Sequence, residues 1–373
     1  MCMVKYMNIK VLVVDDTIMY RKIIGDVLKT IPGVEVVGMA NNGKIALSRI
    51  KSLKPDLVTL DVEMPVMNGL ETLVAIQQEK LEVECLMFSS LTEQGGEITM
   101  KALELGAFDF VLKPDLDTPE ENLAYIQKEL SRRLKVFGQQ SQLRRLLRGK
   151  RPVVPARERI RKPGVATEVL QQTKARVKRV EKSTVVAIGI STGGPNALTV
   201  MLPKLPADLG VPVLIVQHMP PIFTKSLAAS LDKKCALEVK EAVNGELVKK
   251  NTIYIAPGGS QMKVASGTDV HSKILRITDE PPENNCKPSV DYLFRSVARE
   301  YGSKTTGVIM TGMGADGKLG LQDLKSAGAV SIAQNADTCV VYGMPKAVAE
   351  AGLVDVVASL GGIASEIVKT VHG

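Results

Sequence analysis

A serine sits inside a glycine-rich turn in the stretch VVAIGISTGGPNAL, residues 185–198. The apolar run before Ser191 predicts a β-strand over Val185–Ile190, and Pro195 marks the first turn of a helix after it. A serine between a buried strand and a helix N-terminus lies beside free backbone N–H groups, which can stabilise a developing oxyanion. Two interpretations stay open here. Ser191 is a nucleophile, as the surrounding pattern G-x-S-x-G suggests, or it only caps the helix.

Two further polar side chains follow predicted strands in the same half of the chain. His218 comes directly after the apolar stretch VLIVQ, and Asp316 lies in a glycine-rich turn after an apolar strand. Because the carboxyl ends of parallel strands share one edge of a sheet, both can converge with Ser191 in one crevice. A neutral imidazole there can take the serine proton, while a carboxylate orients the imidazole. Considered alone, His218 is also explained by a hydrogen bond to a loop carbonyl.

Three aspartates in the first third of the chain also follow predicted strands. Asp15 and Asp16 end the stretch VLVVDD, and Asp61 ends another apolar run. Carboxylates held close together repel, so such a cluster persists most readily around a hard divalent cation, typically Mg²⁺. With Lys113 after the fifth predicted strand and the Ser89 hydroxyl after the fourth, the set can support phosphoryl transfer to a carboxylate. Any one of these residues alone is also explained as a loop carboxylate or a surface lysine.

Short apolar runs alternate with helical patterns along most of the chain, which predicts an α/β protein. Five βα units fit the first domain as a doubly wound parallel sheet, with strands at 9–14, 34–39, 57–60, 84–88 and 108–112. The alternation resumes in a second, mostly parallel domain, with strands at 185–190, 213–216, 307–310 and 329–333. A polar stretch at 249–278 is predicted to form short antiparallel strands.

The net charge of +8 is concentrated in one segment. Residues 132–182 carry 17 Lys or Arg against three Glu, a net charge of +14, so the rest of the chain carries −6. Several prolines and few aromatic residues are typical of a solvated linker. We therefore predict a domain at 1–130, a basic linker at 131–182 and a second domain at 183–373. The linker is interpreted as a tether, with a surface for an anionic partner as the alternative.

The sequence shows neither a targeting signal nor a cysteine pattern that is typical of disulfides or zinc sites. The N-terminus MCMVKYMNIK lacks the apolar stretch of a signal peptide, and no apolar run approaches the roughly 18 residues of a membrane span. We expect a cytoplasmic protein without membrane insertion. The five cysteines show no C-x-x-C spacing, so a disulfide framework or a zinc site is not expected; they are Cys2, Cys85, Cys235, Cys286 and Cys339.

A dinucleotide fingerprint, G-x-G-x-x-G, is also spelled by Gly312, Gly314 and Gly317. An ionised Asp316 inside that turn would face the pyrophosphate that the turn is meant to bind. The fingerprint also ordinarily opens the first βα unit of its domain rather than a late one. A nucleotide site is therefore the weaker interpretation.

The first domain resembles a two-component receiver domain. VLVVDD, LDVEMPVMNGLE, FSSLT and GAFDFVLKP match the pattern of that family in order. The resemblance implies a flavodoxin-like (βα)5 fold and a histidine kinase as phosphodonor. It also implies roles for six residues: Asp61 as phosphoacceptor, Asp15 and Asp16 as magnesium ligands together with Asp61, Ser89 and Lys113 as contacts of the phosphoryl group, and Phe110 as the aromatic switch.

The second domain resembles the catalytic domain of the CheB family, the chemotaxis-specific protein-glutamate methylesterases. GISTGGPNAL, VQHMP, IYIAPGG, KPSVDYLFRSVA, MTGMGADGKLGL and AQNADTCVVYGMP match in order. The resemblance implies that Ser191 is the nucleophile, His218 the general base and Asp316 its orienting residue, with the Met313 amide as a candidate oxyanion donor. It implies hydrolysis of glutamate γ-methyl esters on chemoreceptors, with deamidation of specific receptor glutamines, and no cofactor in this domain. One departure is Gln261, where many relatives carry histidine.

A response regulator with a binding output, for example DNA bound through the basic segment, is the alternative function. DNA readout needs a recognition element as well as charge. The basic stretch is interrupted by Pro152, Pro155 and Pro163, and no later helix pair resembles a helix-turn-helix. We therefore expect no nucleic-acid partner.

Overall fold

The structure is a computed structural model that describes residues 8–148, 181–269 and 272–373. Side chains are described in these ranges except at residues 139–148. Most of the predicted basic linker, including its three prolines, therefore lies outside the described residues.

The first domain is built on five parallel strands: β1 (Ile9–Val14), β2 (Val34–Ala40), β3 (Leu57–Asp61), β4 (Glu84–Ser89) and β5 (Asp109–Leu112). Their spatial order is β2-β1-β3-β4-β5, which is the flavodoxin-like order with its switch point between β1 and β3. Asp15 follows β1 and Asp61 ends β3. The fold of a receiver, with its acidic residues at the switch point, is therefore confirmed.

Four helices connect these strands: α1 (Ile18–Thr30), α2 (Gly43–Leu53), α3 (Gly69–Gln78) and α4 (Glu93–Glu104). Side chains of the loops fix where three of them begin. Asn42 accepts the N–H of Ile45, Thr92 accepts that of Gly95, and Asn68 forms a reciprocal capping box with Glu71. Such caps satisfy backbone donors that have no partner within the helix.

The fifth helix, α5 (Pro119–Arg148), extends past residue 130, where the first domain was predicted to end. Its side chains Leu130, Leu134 and Phe137 are buried in the core of the first domain. The predicted domain boundary at 130 falls inside this helix, because apolar residues continue its buried face into the basic segment.

Seven parallel strands form the sheet of the second domain: β6 (Val185–Ile190), β7 (Val213–Gln217), β8 (Glu238–Glu241), β9 (Thr252–Ile255), β12 (Thr305–Ile309), β13 (Val330–Gln334) and β14 (Val356–Ala358). Their spatial order is β14-β13-β12-β6-β7-β9-β8. The neighbouring strands β6 and β7, near the middle of this sheet, are buried at every position.

Six helices cover this sheet. They are α6 (Gly194–Met201), α7 (Phe223–Asp232), α8 (Val290–Tyr301), α9 (Lys318–Ser326), α10 (Met344–Glu350) and α11 (Ile363–His372). One core lies around β6 with α6 and α7, and a second lies beneath α8 and α9 on the opposite face.

The region predicted as antiparallel is partly parallel. An antiparallel pair is present, formed by β10 (Gln261–Ser266) and β11 (Lys273–Thr278). However, β9 within the same stretch pairs in parallel with β7 and β8. Its sequence TIYI is buried throughout, which suits an inner strand of the large sheet rather than a polar hairpin.

The two domains pack against each other, with α4 on α7 and α6. At this contact the Phe110 ring of β5 stacks on the Phe223 ring of α7, with centroids 4.7 Å apart. Hydrophobic side chains of both domains form one continuous cluster across it. Within the part of the chain that the structure describes, no helix is both long and apolar enough to cross a bilayer.

Candidate active site

Ser191 lies directly after β6 at the carboxyl edge of the large sheet and is 2% exposed. Its backbone N–H donates to the carbonyl of Thr311 (3.0 Å), and its carbonyl accepts the N–H of Gly194 (2.8 Å). These bonds tie the serine to the end of β12 and to the start of α6. The N-cap residue of α6 is Gly193, without a side-chain cap hydrogen bond, so Ser191 does not cap this helix.

Two glycines allow the tight turn after Ser191. Gly193 has a φ of 77°, and a Cβ there would lie 2.4 Å from the Val340 side chain. A Cβ on Gly194 would lie 1.8 Å from Oε1 of Gln217. Because no side chain fits at either position, glycine is required between the strand and the helix.

His218 follows β7, the strand beside β6. Its N–H donates to the carbonyl of Ile190 (3.2 Å). The buried Gln217 side chain donates to the carbonyls of both Ser191 (3.0 Å) and His218 (3.1 Å). The ends of the two strands are therefore held together, as the strand order predicts.

Asp316 binds the His218 ring, with 2.7 Å between Oδ2 and Nε2. The carboxylate lies at the N-terminus of α8, where the helix dipole favours a negative charge. It accepts five further hydrogen bonds, from the backbone N–H groups of Val290, Asp291 and Gly317 and from the side chains of Ser289 and Asn284. A carboxylate with this many donors cannot rotate freely, so it fixes the plane of the imidazole. The carboxylate itself also takes the Gly317 N–H of the glycine-rich turn, a donor that a bound pyrophosphate would need.

The contacts of this pair shift both pKa values. Burial alone would lower the pKa of His218, but hydrogen bonds with Asp316 and Cys286 outweigh it and raise the pKa to about 9. Burial would raise the pKa of Asp316, but the His218 hydrogen bond and the backbone donors outweigh it and lower the pKa to about 2.

Ser191 and His218 line one cavity of about 50 Å³. Both side chains belong to the described part of the structure, and no hydrogen bond joins them. Four residues of the first domain form the other wall of the cavity: Asp109, Phe110, Arg132 and Arg133. Because ligand sites ordinarily take about 300–1,000 Å³, the first domain leaves no room for a substrate here.

Cys286 contacts the other nitrogen of the imidazole, and the sequence analysis did not predict this. Its Sγ lies 3.7 Å from Nδ1 of His218. The contact comes from a short loop in which Glu283 and Cys286 exchange backbone hydrogen bonds of 3.1 and 2.8 Å. The thiol is partly exposed. Nothing in the spacing of the cysteines indicates this contact.

Asn284, in the same loop, joins two buried carboxylates. Its Nδ2 donates to Oδ2 of Asp291 (2.8 Å) and to Oδ1 of Asp316 (3.1 Å). Its φ of 52° is left-handed, a conformation that asparagine tolerates better than most residues. Sequence reasoning missed Asn284, whose only signal is an Asn-Asn pair in a loop after two prolines.

Gln261 supports the same region from behind. Its Nε2 donates to the carbonyl of Pro281 (3.0 Å), and its Oε1 accepts the N–H of Ser289 (2.9 Å). Ser289 in turn donates to Asp316. Glutamine at this position therefore holds the segment that leads into α8.

Met313, the candidate oxyanion donor, lies under the first domain. Its side chain packs against a hydrophobic cluster that includes Phe137 of α5 and Val341. Its backbone N–H makes no hydrogen bond to any described residue. The loops around the serine are therefore in contact with α5.

The three aspartates of the first domain come together at its switch point. Asp15, Asp16 and Asp61 each offer a carboxylate oxygen within 4.8 Å of the others. Nζ of Lys113 lies 2.8 Å from Oδ2 of Asp15 and 2.7 Å from Oδ2 of Asp61. A set of carboxylate oxygens is the donor set that Mg²⁺ prefers.

The surroundings of Asp61 raise its pKa. Burial raises its pKa to about 6, and Lys113 offsets only part of that effect. A buried carboxylate in this condition is stabilised in its ionised form by an additional cation. The residues present therefore fit a divalent metal ion.

Ser89 is fully buried, and its hydroxyl faces α4. It donates to the carbonyl of Gly95 (3.3 Å) and accepts a hydrogen bond from Thr99 (2.8 Å). No hydrogen bond joins the Ser89 hydroxyl to Asp61 or to the Lys113 side chain, all three being described residues, although the Ser89 carbonyl accepts the backbone N–H of Lys113 (2.8 Å). Contact with a phosphoryl group would require the hydroxyl to exchange these partners.

An ion pair supplements the stacked rings at the domain contact. Glu104, at the end of α4, pairs with Lys234 and accepts a hydrogen bond from Ser230. Burial would raise the pKa of Glu104, but these two partners outweigh it and lower the pKa. A second pair, Glu93 and Lys225 at 3.2 Å, is largely exposed.

Both halves of the chain match known protein families. Residues 186–367 match the family model of the CheB methylesterase, and residues 11–123 match that of the response regulator receiver domain. A protein-glutamate methylesterase/protein-glutamine glutaminase of Desulfotalea psychrophila is 53% identical over 98% of this chain and 99% of that protein. A protein of the same name from Bacillus subtilis is 43% identical over 97% of this chain and 98% of its own length.

Two solved structures are similar to the separate halves. The CheB methylesterase catalytic domain of Thermotoga maritima is 41% identical, covers 51% of this chain and 99% of its own, and has a TM-score of 0.49. The response regulator domain of Thermotoga maritima CheB is 38% identical, covers 35% of this chain and 96% of its own, and has a TM-score of 0.32.

Proposed function

This chain belongs to the CheB methylesterase family and carries a receiver domain, and on that premise we propose a serine hydrolase under phosphorylation control. Its substrates are glutamate γ-methyl esters on the cytoplasmic domains of chemoreceptors, together with specific receptor glutamines. The observation that carries the proposal is the convergence of Ser191, His218 and Asp316 at one edge of the large sheet. The enzyme acts in the cytoplasm, where these receptor domains lie.

In the proposed reaction, Oγ of Ser191 attacks the ester carbonyl while its proton passes to His218. Because Asp316 occupies Nε2, the nitrogen that receives the proton is Nδ1. The protonated ring returns the proton to the leaving oxygen, so methanol departs and a glutamyl ester on Ser191 remains. Water then takes the place of methanol and attacks the glutamyl carbonyl while its proton passes to His218. His218 returns that proton to Oγ of Ser191, which releases the glutamate carboxyl group and regenerates the serine. With a glutamine substrate, ammonia departs in place of methanol.

Two features of the chain assist this step. The Met313 N–H has no other partner among the described residues, which supports its role as a donor to the oxyanion. The hydrogen bonds around Asp316 hold the imidazole in one orientation, so the geometry does not have to be formed during the reaction.

The receiver controls the reaction by covering the catalytic edge. A cavity of about 50 Å³ cannot admit a glutamyl side chain together with its backbone. The unphosphorylated chain must therefore open its domain contact before substrate binds. Phosphorylation replaces the Asp61 carboxylate beside Lys113 with a phosphoryl group that carries roughly −1.5 to −2 charge, and draws the Ser89 hydroxyl away from α4.

The rearrangement around Asp61 is transmitted to the domain contact through β5. Lys113 directly follows this strand, and Phe110 within it stacks on Phe223. A coupling of about 1–3 kcal/mol changes activity by roughly 5- to 150-fold. The phosphodonor is a histidine kinase, and Mg²⁺ held by Asp15, Asp16 and Asp61 supplies charge neutralisation for the phosphoryl group.

Methanol release from methylated chemoreceptor membranes tests this function. We expect the wild-type chain to release methanol faster with a small phosphodonor and Mg²⁺ than without them. Ser191→Ala should reduce release by at least about 10³-fold with the fold intact, because the covalent step is lost. Asp61→Asn should keep the basal rate with the phosphodonor present. If Ser191→Ala keeps activity within about tenfold of wild type, Ser191 is not the nucleophile.

A further inference from the structure

A cysteine thiol faces the nitrogen of His218 that the proposed reaction uses. The distance between Sγ of Cys286 and Nδ1 of His218 is 3.7 Å, although the two residues are 68 positions apart in the chain. We propose that Cys286 and His218 form a zinc site, and that zinc bound there inhibits the enzyme. The inhibition rests on the proposed function, whereas zinc binding itself does not.

The distance between the two ligand atoms matches the distance expected in a zinc site. Zinc binds thiolate sulfur at about 2.3 Å and imidazole nitrogen at about 2.1 Å. In a tetrahedral site, these two lengths separate the sulfur and nitrogen atoms by about 3.6 Å. The observed 3.7 Å is close to this value.

The environment of the imidazole also suits a zinc ligand. Histidines that bind zinc ordinarily donate their second ring N–H to a carboxylate, which fixes the tautomer and makes the ligand more basic. Asp316 does this for His218 through Nε2. Because its oxygens face Nε2 and the start of α8, Asp316 acts behind the ring rather than as a direct ligand.

The thiol is held in place and can be reached from solvent. The loop of Cys286 is closed by its backbone hydrogen bonds with Glu283, whose carboxylate pairs with Arg295. Asn284 ties the same loop to Asp316. Cys286 is partly exposed, so an ion has a path to the site, and water can complete the coordination.

The consequence for catalysis follows from the shared nitrogen. A zinc ion on Nδ1 occupies the lone pair that would accept the Ser191 proton. The base is then blocked while Ser191 and Asp316 stay in place. The scattered cysteines predicted no zinc site in the sequence, because this site depends on a contact between distant loops.

Zinc affinity of the full-length chain tests the site. The measurement is competition with a chromophoric chelator, at excess Mg²⁺ to occupy the receiver carboxylates and with a non-thiol reductant. Wild type, Cys286→Ser and Cys235→Ser are compared, since Cys235 is another partly exposed thiol on a different surface. We expect Cys286→Ser to bind zinc at least about tenfold more weakly than the other two. Equal affinity of all three proteins overturns the proposal.

Cobalt gives an independent readout, because a thiolate ligand produces a charge-transfer absorption. Co²⁺ should produce this band in the wild type and in Cys235→Ser but not in Cys286→Ser. A wild-type spectrum without the band excludes the thiol as a ligand.

The methanol-release assay then tests inhibition, with each variant compared to its own zinc-free rate. Cys286→Ser should need at least about tenfold more zinc than wild type for half inhibition. Inhibition of both proteins at the same zinc concentration contradicts the inhibitory role. If zinc binding depends on Cys286 but no methanol is released, the proposed function fails and the zinc site stands.

Discussion

The Phe110 ring of the receiver lies nearly parallel to the Phe223 ring of the catalytic domain, with centroids 4.7 Å apart and planes inclined by 17°. Phe110 is three residues before Lys113, which binds the Asp61 carboxylate. Phe223 is five residues after His218. The stacked pair therefore joins the strand that leads to Lys113 with the segment that follows His218.

Replacement of Phe110 by leucine should weaken the contact between the receiver and the catalytic domain. Leucine keeps an apolar side chain in the contact but loses the stacking, which is worth about 0.5–1.5 kcal/mol in aromatic pairs. We expect Phe110→Leu to raise basal methanol release about 2- to 12-fold without a phosphodonor. Phe88→Leu, the same change in the receiver core away from Phe223, is the control and should leave the basal rate unchanged. A Phe110→Leu rate no higher than wild type contradicts this role.

The Glu104–Lys234 pair offers a charge-reversal test of the same contact. Glu104→Lys and Lys234→Glu each place like charges together and should raise the basal rate severalfold, since partly exposed pairs contribute up to about 1 kcal/mol. The double variant restores opposite charges and should return toward the wild-type rate. Glu93→Lys, whose partner Lys225 is largely exposed, should have a smaller effect. A double variant as active as the single ones indicates that the pair does not hold the domains.

Much of this arrangement was predictable from sequence, because it depends on strand order. Ser191 and His218 each follow an apolar strand, and adjacent parallel strands bring such residues to one edge. The same reasoning predicts the cluster of Asp15 and Asp61 at the receiver switch point. Glycines at 193 and 194 indicate the tight turn directly.

The remaining features depend on loops whose course no periodic pattern reports. Cys286 and Asn284 reach His218 and Asp316 through a loop with left-handed residues. β9 is short and follows a polar stretch, so its parallel pairing was not predicted. α5 continued into the basic segment because its buried face extends to Phe137, which charge composition alone does not show.

Asn284 should act as a positioning residue. Removing its side chain leaves the buried carboxylates of Asp291 and Asp316 without a shared donor, and hydrogen bonds to charged groups are worth about 1.5–3 kcal/mol. We expect Asn284→Ala to lower kcat about tenfold or more with little change in KM. The pH dependence should shift as well, because the orientation of Asp316 affects His218. If the pH profile of Asn284→Ala matches that of wild type and only its thermal stability falls, the role of Asn284 is purely structural.

In enzyme treated with a chelator to remove zinc, the pH dependence of kcat/KM should follow the ionisation of His218. The pKa of His218 is raised to about 9, so the base is protonated below that pH and the rate should rise with pH until it levels off near there. Asp316→Asn removes the carboxylate that raises this pKa, while burial continues to lower it. The midpoint should then move to lower pH, with a lower plateau. A midpoint that does not move on this substitution contradicts the assignment.

The same shifts predict the pH dependence of stability. The pKa of His218 in the folded chain lies above its ordinary value of 6.5. Its contribution to the free energy of unfolding is therefore fully present below pH 6.5 and is lost as pH rises toward 9. Asp316 has a lowered pKa, so its contribution is present above its ordinary value and is lost in acid. The difference in melting temperature between wild type and His218→Ala should therefore narrow as pH rises from 6.5 toward 9, and a difference that stays constant over this range contradicts the raised pKa.

The most direct test of control by the receiver is the rate of methanol release by the fragment 183–373 beside that of the unphosphorylated whole chain. Removal of the receiver opens the cavity that Phe110 and Arg133 now close, so we predict that the fragment is at least about fivefold faster. The whole chain treated with a phosphodonor should approach the rate of the fragment. A fragment no faster than the unphosphorylated whole chain would contradict covering as the mechanism, and the receiver would then have to act by bringing the enzyme to its substrate.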